Sequence, residues 1–137
     1  MTNYGLGGLC EVHVDPHGIS EVKELPEDRG YLKSTGDMIG TFMAWLDHVE
    51  AGGSTAYCNP GYEGVITPTK GGAAFWYDLE TNLVRDHNTR HGGCPVFKGS
   101  KWILNKWMYA YDNFAKFPCD IKPKTKFKEP DNSHYFN

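Results

Sequence analysis

The sequence predicts a mainly β domain, a sandwich or a barrel. Three observations carry that reading. Short apolar segments alternate with turn signals along most of the chain. Sixteen glycines and eight prolines supply the turns. Aromatic residues make up 14% of the chain, enough to fill a core with few helices. The 137 residues suit one domain around a single core. A formal net charge of −3, with acids and bases interspersed, gives no electrostatic reason for a nucleic-acid partner. No apolar run nears the roughly 20 residues that span a bilayer. The start, Met1 to Gly5, lacks the basic-then-apolar pattern of a signal peptide.

The elements follow in order. Leu9 to Val14 alternates weakly and reads as a strand carrying His13. Asp15 to Gly36 is polar, with Pro16, Gly18, Pro26 and Gly30, and reads as a long loop of the kind that carries function. Met38, Phe42 and Trp45 stand at helical spacing, but Ile39 to Leu46 also suits a strand buried on both faces. Gly40 and the aromatic content favour the strand. Gly52-Gly53 is a turn, Ser54 to Tyr57 a short strand, and Asn59-Pro60-Gly61 a second turn. Gly64 to Thr67 and Ala73 to Tyr77 are strands separated by a turn at Pro68 to Gly72. Asp78 to Asn88 is a polar loop. Thr89 to Phe97 and Lys101 to Tyr109 are two strands, most simply a hairpin across Gly99-Ser100. Residues 1–119 are expected to form the domain. Residues 120–137 are expected to form a polar tail containing Lys and Pro.

The chemistry centres on Thr89 to Val96 and on His13-Val14-Asp15. Residues two apart on a strand share a face, so His13 and Asp15 can aim at one ion. His91 can join them from another strand. Two imidazoles and one carboxylate are the ligand set of a non-haem Fe(II) centre with open positions. A lone His-x-Asp is a weak signal, and three polar residues beside turns is the plain alternative. Structural zinc is another: Cys10-x-x-His13 and His91-x-x-Cys94 resemble two ligand pairs. Strand parity opposes it, since residues three apart face opposite sides, although Gly92-Gly93 could form a knuckle. Four cysteines, Cys10, Cys58, Cys94 and Cys119, allow two disulfides in three connectivities, free thiols or metal ligands. His17, His48, His87 and His134 stand in polar surroundings and read as surface residues.

Lys101 lies in an apolar strand, where an unpaired ammonium is costly. It is either an edge residue reaching for solvent or a point charge for an anionic ligand. Lys106 is five residues on and faces the other way, so the two cannot serve one site.

Several stretches together resemble the prolyl 4-hydroxylases, above all the catalytic domain of the animal collagen-type alpha subunit. They are Thr2 to Gly8, His13-Val14-Asp15, Val49 to Thr55, Lys70 to Tyr77, Arg90 to Val96, Lys101-Trp102 and Asn105-Lys106-Trp107. The resemblance runs from Asn3 to about Cys119. It implies a double-stranded β-helix, or jelly roll. It implies Fe(II) held by His13, Asp15 and His91, with 2-oxoglutarate as co-substrate. The far carboxylate of 2-oxoglutarate would meet Lys101, assisted by Tyr4 and Thr55, with Trp107 beside the pocket. An ammonium facing a carboxylate in a dry barrel forms a strong charge-assisted hydrogen bond. The implied reaction hydroxylates C4 of a peptidyl proline with O2, converting 2-oxoglutarate to succinate and carbon dioxide. Ascorbate, a Pro-rich or collagen-like peptide and a protein disulfide isomerase subunit are the further expected partners.

The resemblance also implies a disulfide between Cys94 and Cys119, leaving Cys10 and Cys58 over. A persistent disulfide favours an oxidising compartment such as the endoplasmic reticulum. Cys10 and Val14 stand where the family usually has aromatic residues, Cys58 interrupts the usual approach to a proline, and the loop from Pro16 to Gly36 is divergent. The family's domains carry strands and helices ahead of the Tyr4 region. The jelly roll is therefore expected to be incomplete on its N-terminal side, and the chain alone poorly soluble or weakly active. The alternatives are a zinc-stabilised binding module and an inactive relative that binds a peptide or partner without turnover.

Overall fold

The computed structural model describes residues 1–25, 27–113 and 115–116. Cys119, His134 and the expected tail lie outside them. Two four-stranded antiparallel sheets and one two-stranded ribbon account for the strands among the described residues. The strands are β1 (Thr2–Tyr4), β2 (Cys10–His13), β3 (Met38–Trp45), β4 (Ala51–Gly52), β5 (Thr55–Tyr57), β6 (Gly64–Ile66), β7 (Ala73–Tyr77), β8 (His91–Gly93), β9 (Val96–Lys98) and β10 (Lys101–Tyr109). The first sheet has the order β1-β10-β3-β7, the second β2-β8-β5-β6, and the ribbon is β4-β9. The chain crosses repeatedly from one sheet to the other: β1 lies in the first, β2 in the second, β3 in the first, β5 and β6 in the second. That alternation is the double-stranded β-helix.

Strand periodicity decides which side chains face the space between the sheets. On β3, Ile39, Thr41, Met43 and Trp45 are buried while Phe42 is exposed. On β10, Lys101 and Ile103 are buried while Trp102 and Leu104 are exposed. The register joins the two, with Ile103 opposite Trp45 and Trp107 opposite Thr41. Met43, Trp45, Trp76 and Ile103 form one core cluster, against which Tyr4, Tyr57 and Ile66 pack. Full burial of such a side chain is worth roughly 1.5–3 kcal/mol. The outward face of the first sheet is also apolar, since Phe42, Phe75, Trp102 and Leu104 are all exposed.

The structure corrects three expectations. Val96–Lys98 and Lys101–Tyr109 do not form a hairpin. β9 pairs with β4, whereas β10 pairs with β1 and β3. Gly99, at φ 80, turns the chain out of the ribbon and into the first sheet. Thr89 to Phe97 is not one strand either. It begins as a 3-10 turn at His87–Thr89 and breaks at Cys94-Pro95 between β8 and β9. Pro95 has no N–H to give a ladder, and its carbonyl accepts from Gly53 N at 2.9 Å instead. Thirdly, the expected turn at Gly52-Gly53 overlaps the two-residue strand β4. Its left-handed backbone is reserved for glycine there, because a Cβ at Gly52 would run into the Pro95 carbonyl.

The long loop after Asp15 is better organised than its composition suggests. It holds two 3-10 turns, Ile19–Glu21 and Glu27–Arg29, and a single-turn helix α1 (Leu32–Thr35). Asp37, buried at the start of β3, anchors it. Its carboxylate accepts from the backbone N–H groups of His17 (2.8 Å), Gly18 (2.7 Å), Ile19 (3.0 Å) and Met38 (2.9 Å). After β10 the chain enters a second single-turn helix, α2 (Ala110–Asn113).

Candidate active site

A cavity of about 200 Å³ opens between the two large sheets. Its lining includes all seven residues expected for the site: Tyr4, His13, Asp15, Thr55, His91, Lys101 and Trp107. The arrangement has two chemically distinct ends.

At one end stand His13, Asp15 and His91. β2 and β8 are paired with His13 opposite His91, which brings the two rings to a centroid distance of 4.7 Å. Asp15 follows two residues after His13. Its Oδ1 lies 3.2 Å from His13 Nε2 and 3.9 Å from His91 Nε2. One ligand atom from each residue lies within 4.8 Å of those of the other two. Each ring is oriented from behind in the same way. His13 Nδ1 lies 2.7 Å from the Glu11 carbonyl and His91 Nδ1 lies 2.8 Å from the Thr89 carbonyl. A carbonyl only accepts, so each Nδ1 carries the hydrogen and each Nε2 presents its lone pair to Asp15. Two lone pairs and a carboxylate cannot share so small a space without a cation or extra protons. A divalent ion with mixed N/O preference fits that donor set.

Electrostatics match the geometry. Protonated at Nε2 as well, His13 can donate to Asp15, and this bond holds the imidazole above its usual range, against the opposing effect of burial. Burial pushes Asp15 up, but the His13 contact, the His91 charge and the Thr41 hydroxyl outweigh it and leave the carboxyl low. Burial pushes His91 down. His91 is 7% exposed, and the rings of Trp76 and Tyr57 lie against it at 4.9 and 5.5 Å.

At the other end Lys101 points inward from β10 and is 3% exposed. Its Nζ reaches Thr55 Oγ1 only at 3.5 Å and sits 5.6 Å from the Tyr4 ring centroid. It has no carboxylate partner among the described residues. Burial lowers its pKa, and the nearby Cys94 and Cys10 oppose that. Trp107 borders the same cavity, while Lys106 is exposed on the opposite face.

The zinc alternative is not assembled. Among the described residues the metal-ligating group that converges is His13, Asp15 and His91, without Cys10 or Cys94. Strand parity does not, however, separate Cys10 from His13. The β2–β8 register shifts between Cys10 and His13, and this irregularity turns both toward the cavity, with Cys10 Sγ 3.9 Å from His13 Nδ1. Cys10, Cys58 and Cys94 carry no disulfide among the described residues, and the expected partner of Cys94 lies outside them. His48 and His87 are exposed as expected. His17 is half-buried, with Nε2 3.1 Å from the Tyr31 hydroxyl.

Thr41, Asp78 and Asn105 were not legible as site residues. Thr41 Oγ1 lies 2.8 Å from Asp15 Oδ2 and 2.7 Å from Asp78 Oδ2. Asn105 lines the cavity with its Oδ1 buried and without a hydrogen-bond partner. Thr41 and Asn105 could have been found from parity, since they share faces with Met43 and Lys101. Asp78 gave no such signal, because an aspartate after an aromatic strand reads as the start of a loop.

The sequence profile described as the 2OG-Fe(II) oxygenase superfamily matches residues 1–109. Prolyl 4-hydroxylase subunit alpha-2 of Gallus gallus is 40% identical over 119 residues, which is 87% of this chain and 21% of that protein. Prolyl 4-hydroxylase subunit alpha-3 of Mus musculus is 37% identical over 124 residues, 90% of this chain and 21% of that protein. The chain thus spans about a fifth of the length of these relatives. Among solved structures, the viral collagen prolyl hydroxylase from Paramecium Bursaria Chlorella virus-1, in its 2OG complex, superposes with a TM-score of 0.64 at 25% identity. The match covers 78% of this chain and 55% of that one.

Proposed function

The chain belongs to the 2OG-Fe(II) oxygenase superfamily, and we propose that it carries the catalytic site of a prolyl 4-hydroxylase. One observation carries this reading: a single cavity has converging metal donors at one end and a buried, unpaired ammonium at the other. A metal-chelating keto acid with a second carboxylate answers both ends at once. His13, Asp15 and His91 would hold Fe(II). Lys101, with Thr55, would hold the far carboxylate of 2-oxoglutarate, assisted by the Tyr4 ring beside the ammonium, and Trp107 would border it. Bound Fe(II) supplies open coordination positions and the redox chemistry toward O2. The chain's own residues orient the two imidazoles through Glu11 and Thr89 and position the co-substrate. The balanced reaction takes peptidyl proline, 2-oxoglutarate and O2 to peptidyl 4-hydroxyproline, succinate and carbon dioxide.

The names of the similar proteins support a prolyl substrate, and we extend the proposal to a Pro-rich or collagen-like peptide. Ascorbate as reductant, a disulfide isomerase partner, a Cys94–Cys119 disulfide and residence in the endoplasmic reticulum complete it. The test is succinate formation by the full chain with Fe(II), 2-oxoglutarate and ascorbate, with and without a Pro-Pro-Gly repeat peptide. Peptide-stimulated succinate with matching 4-hydroxyproline is the expected result. Tight 2-oxoglutarate binding without any turnover under these conditions would favour a binding module instead.

A further inference from the structure

We propose that Asp78 is a positioning residue for the metal centre, acting through the hydroxyl of Thr41 to fix Asp15 with its Oδ1 toward the two histidines. The inference rests on the reading of His13, Asp15 and His91 as metal ligands. Its basis is a hydrogen count. Thr41 Oγ1 lies within bonding distance of two carboxylate oxygens, Asp15 Oδ2 at 2.8 Å and Asp78 Oδ2 at 2.7 Å. A hydroxyl has one hydrogen to give. The second contact is a bond only if one carboxyl donates. Asp15 faces two imidazole nitrogens and serves the ion, so the donor is Asp78. The Asp78 hydroxyl then donates to Thr41, and Thr41 donates to Asp15 Oδ2.

The surroundings suit a neutral carboxyl. Asp78 is 0% exposed, and its Oδ1 has no hydrogen-bond partner. No lysine or arginine pairs with it among the described residues. Burial first, and the Asp15 charge second, push its pKa up to about 8, against the smaller opposing effects of Thr41 and Trp76. The backbone fixes its place: Asp78 N donates to the Ile39 carbonyl at 3.0 Å, and Asp86 N donates to the Asp78 carbonyl at 2.9 Å. β3 and β7 are paired with Thr41 opposite Trp76, so Asp78 lies two residues beyond the strand partner of the residue it supports. Outer partners of this kind set the orientation of a ligating carboxylate and typically change metal affinity 10–100-fold.

The test uses the full chain and Co(II) as probe, by titration calorimetry and visible absorption. Asp78→Asn keeps a donor toward Thr41. It should bind Co(II) within about threefold of wild type, with an unchanged spectrum. Asp78→Ala and Thr41→Val should weaken Co(II) roughly 10–100-fold and shift the spectrum. Asp78→Asn as damaging as Asp78→Ala, or Asp78→Ala with wild-type affinity and spectrum, would overturn the proposal. Infrared difference spectra of the metal-free chain add an independent arm. The carbonyl stretch of a protonated carboxylic acid should be present in wild type at neutral pH and missing in Asp78→Asn; its absence from wild type sinks the relay. Failure of the wild-type chain to bind Co(II) would instead refute the ligand reading, and the infrared arm would still decide the relay.

Discussion

The two ends of the cavity are built on opposite terms. At the histidine end, the side chains are held by groups that remain whether or not an ion is present. Glu11 and Thr89 orient the rings, and Thr41 orients Asp15. At the lysine end, Lys101 is buried with one long contact to Thr55 and no counter-charge among the described residues. The first end is preorganised, so its ligands need little rearrangement to bind. The second holds an unsatisfied charge, and only an incoming anion compensates its desolvation. Removing a residue should therefore have different consequences at the two ends.

The largest effect is expected at the histidine end. His91→Ala removes one of three donors, and the supporting rings of Trp76 and Tyr57 cannot replace it. Fe(II)-dependent succinate formation should fall by more than the roughly 10–100-fold that supporting partners cost. Iron bound per chain should fall with it. Turnover near wild type in this variant would mean that the histidine end is not where the metal sits.

Lys101→Ala should act on the other end alone. Loss of a charge-assisted hydrogen bond worth about 1.5–3 kcal/mol raises the 2-oxoglutarate requirement by roughly 10–150-fold. The iron requirement should barely move. Equal losses for both ligands would show that Lys101 supports the fold and not one end of the site. Its lowered pKa adds a check on the ligand-free chain. Below the folded value both states carry the charge, and the burial penalty is constant. Between that value and 10.5 the unfolded chain binds more protons, so stability rises with pH. Lys101→Met should flatten that rise in alkaline denaturation curves.

Asp78 gives the opposite slope behind the histidine end. Its carboxyl titrates at 3.8 ordinarily and at about 8 in the fold. In that window the native chain holds the proton and the unfolded chain has lost it. Stability therefore falls as pH rises, by up to about 1.4 kcal/mol per pH unit. Urea denaturation of the metal-free chain at pH 6 and pH 7 measures it. Wild type should lose about that amount relative to Asp78→Asn. Parallel pH dependence in the two proteins would place a charged Asp78 in the native state and break the contrast between a preorganised end and one holding an uncompensated charge.

What was legible in the sequence divides along physical lines. Short apolar or aromatic segments bounded by turn signals located β2, β3, β7 and β10, and only β2 showed alternation, which was weak. The strand breaks were harder. The hairpin reading failed because Gly99 permits a sharp exit as readily as a tight return, and local composition does not distinguish them. Cys10 was misplaced because a register irregularity overrides parity, and nothing in Cys10-Glu11-Val12-His13 announces it. The residues themselves pointed to His13, Asp15, His91 and Lys101, and the family resemblance added Tyr4, Thr55 and Trp107, all of which line the cavity. Asp78 stayed hidden because its role depends on a contact across strands, not on its neighbours in the chain.

The smallest expected effect separates two ways of holding the lysine end. Tyr4 lies directly opposite Lys101 in the pairing of β1 with β10, and the ammonium stands 5.6 Å from the ring centroid. A ring face at that distance is worth about 0.5–1 kcal/mol to a cation. Tyr4→Leu should therefore raise the 2-oxoglutarate requirement about 2–5-fold. Tyr4→Phe keeps the ring and should stay closer to wild type, with no change in iron requirement for either variant. β1 is an edge strand only three residues long, so thermal melts of both variants are needed to separate pocket effects from fraying. Equal losses in Tyr4→Phe and Tyr4→Leu, at unchanged melting temperature, would assign the effect to the phenol hydroxyl. The anion would then be held by two donors, Lys101 and Tyr4, and the lysine end would be less dependent on a single charge than its burial implies.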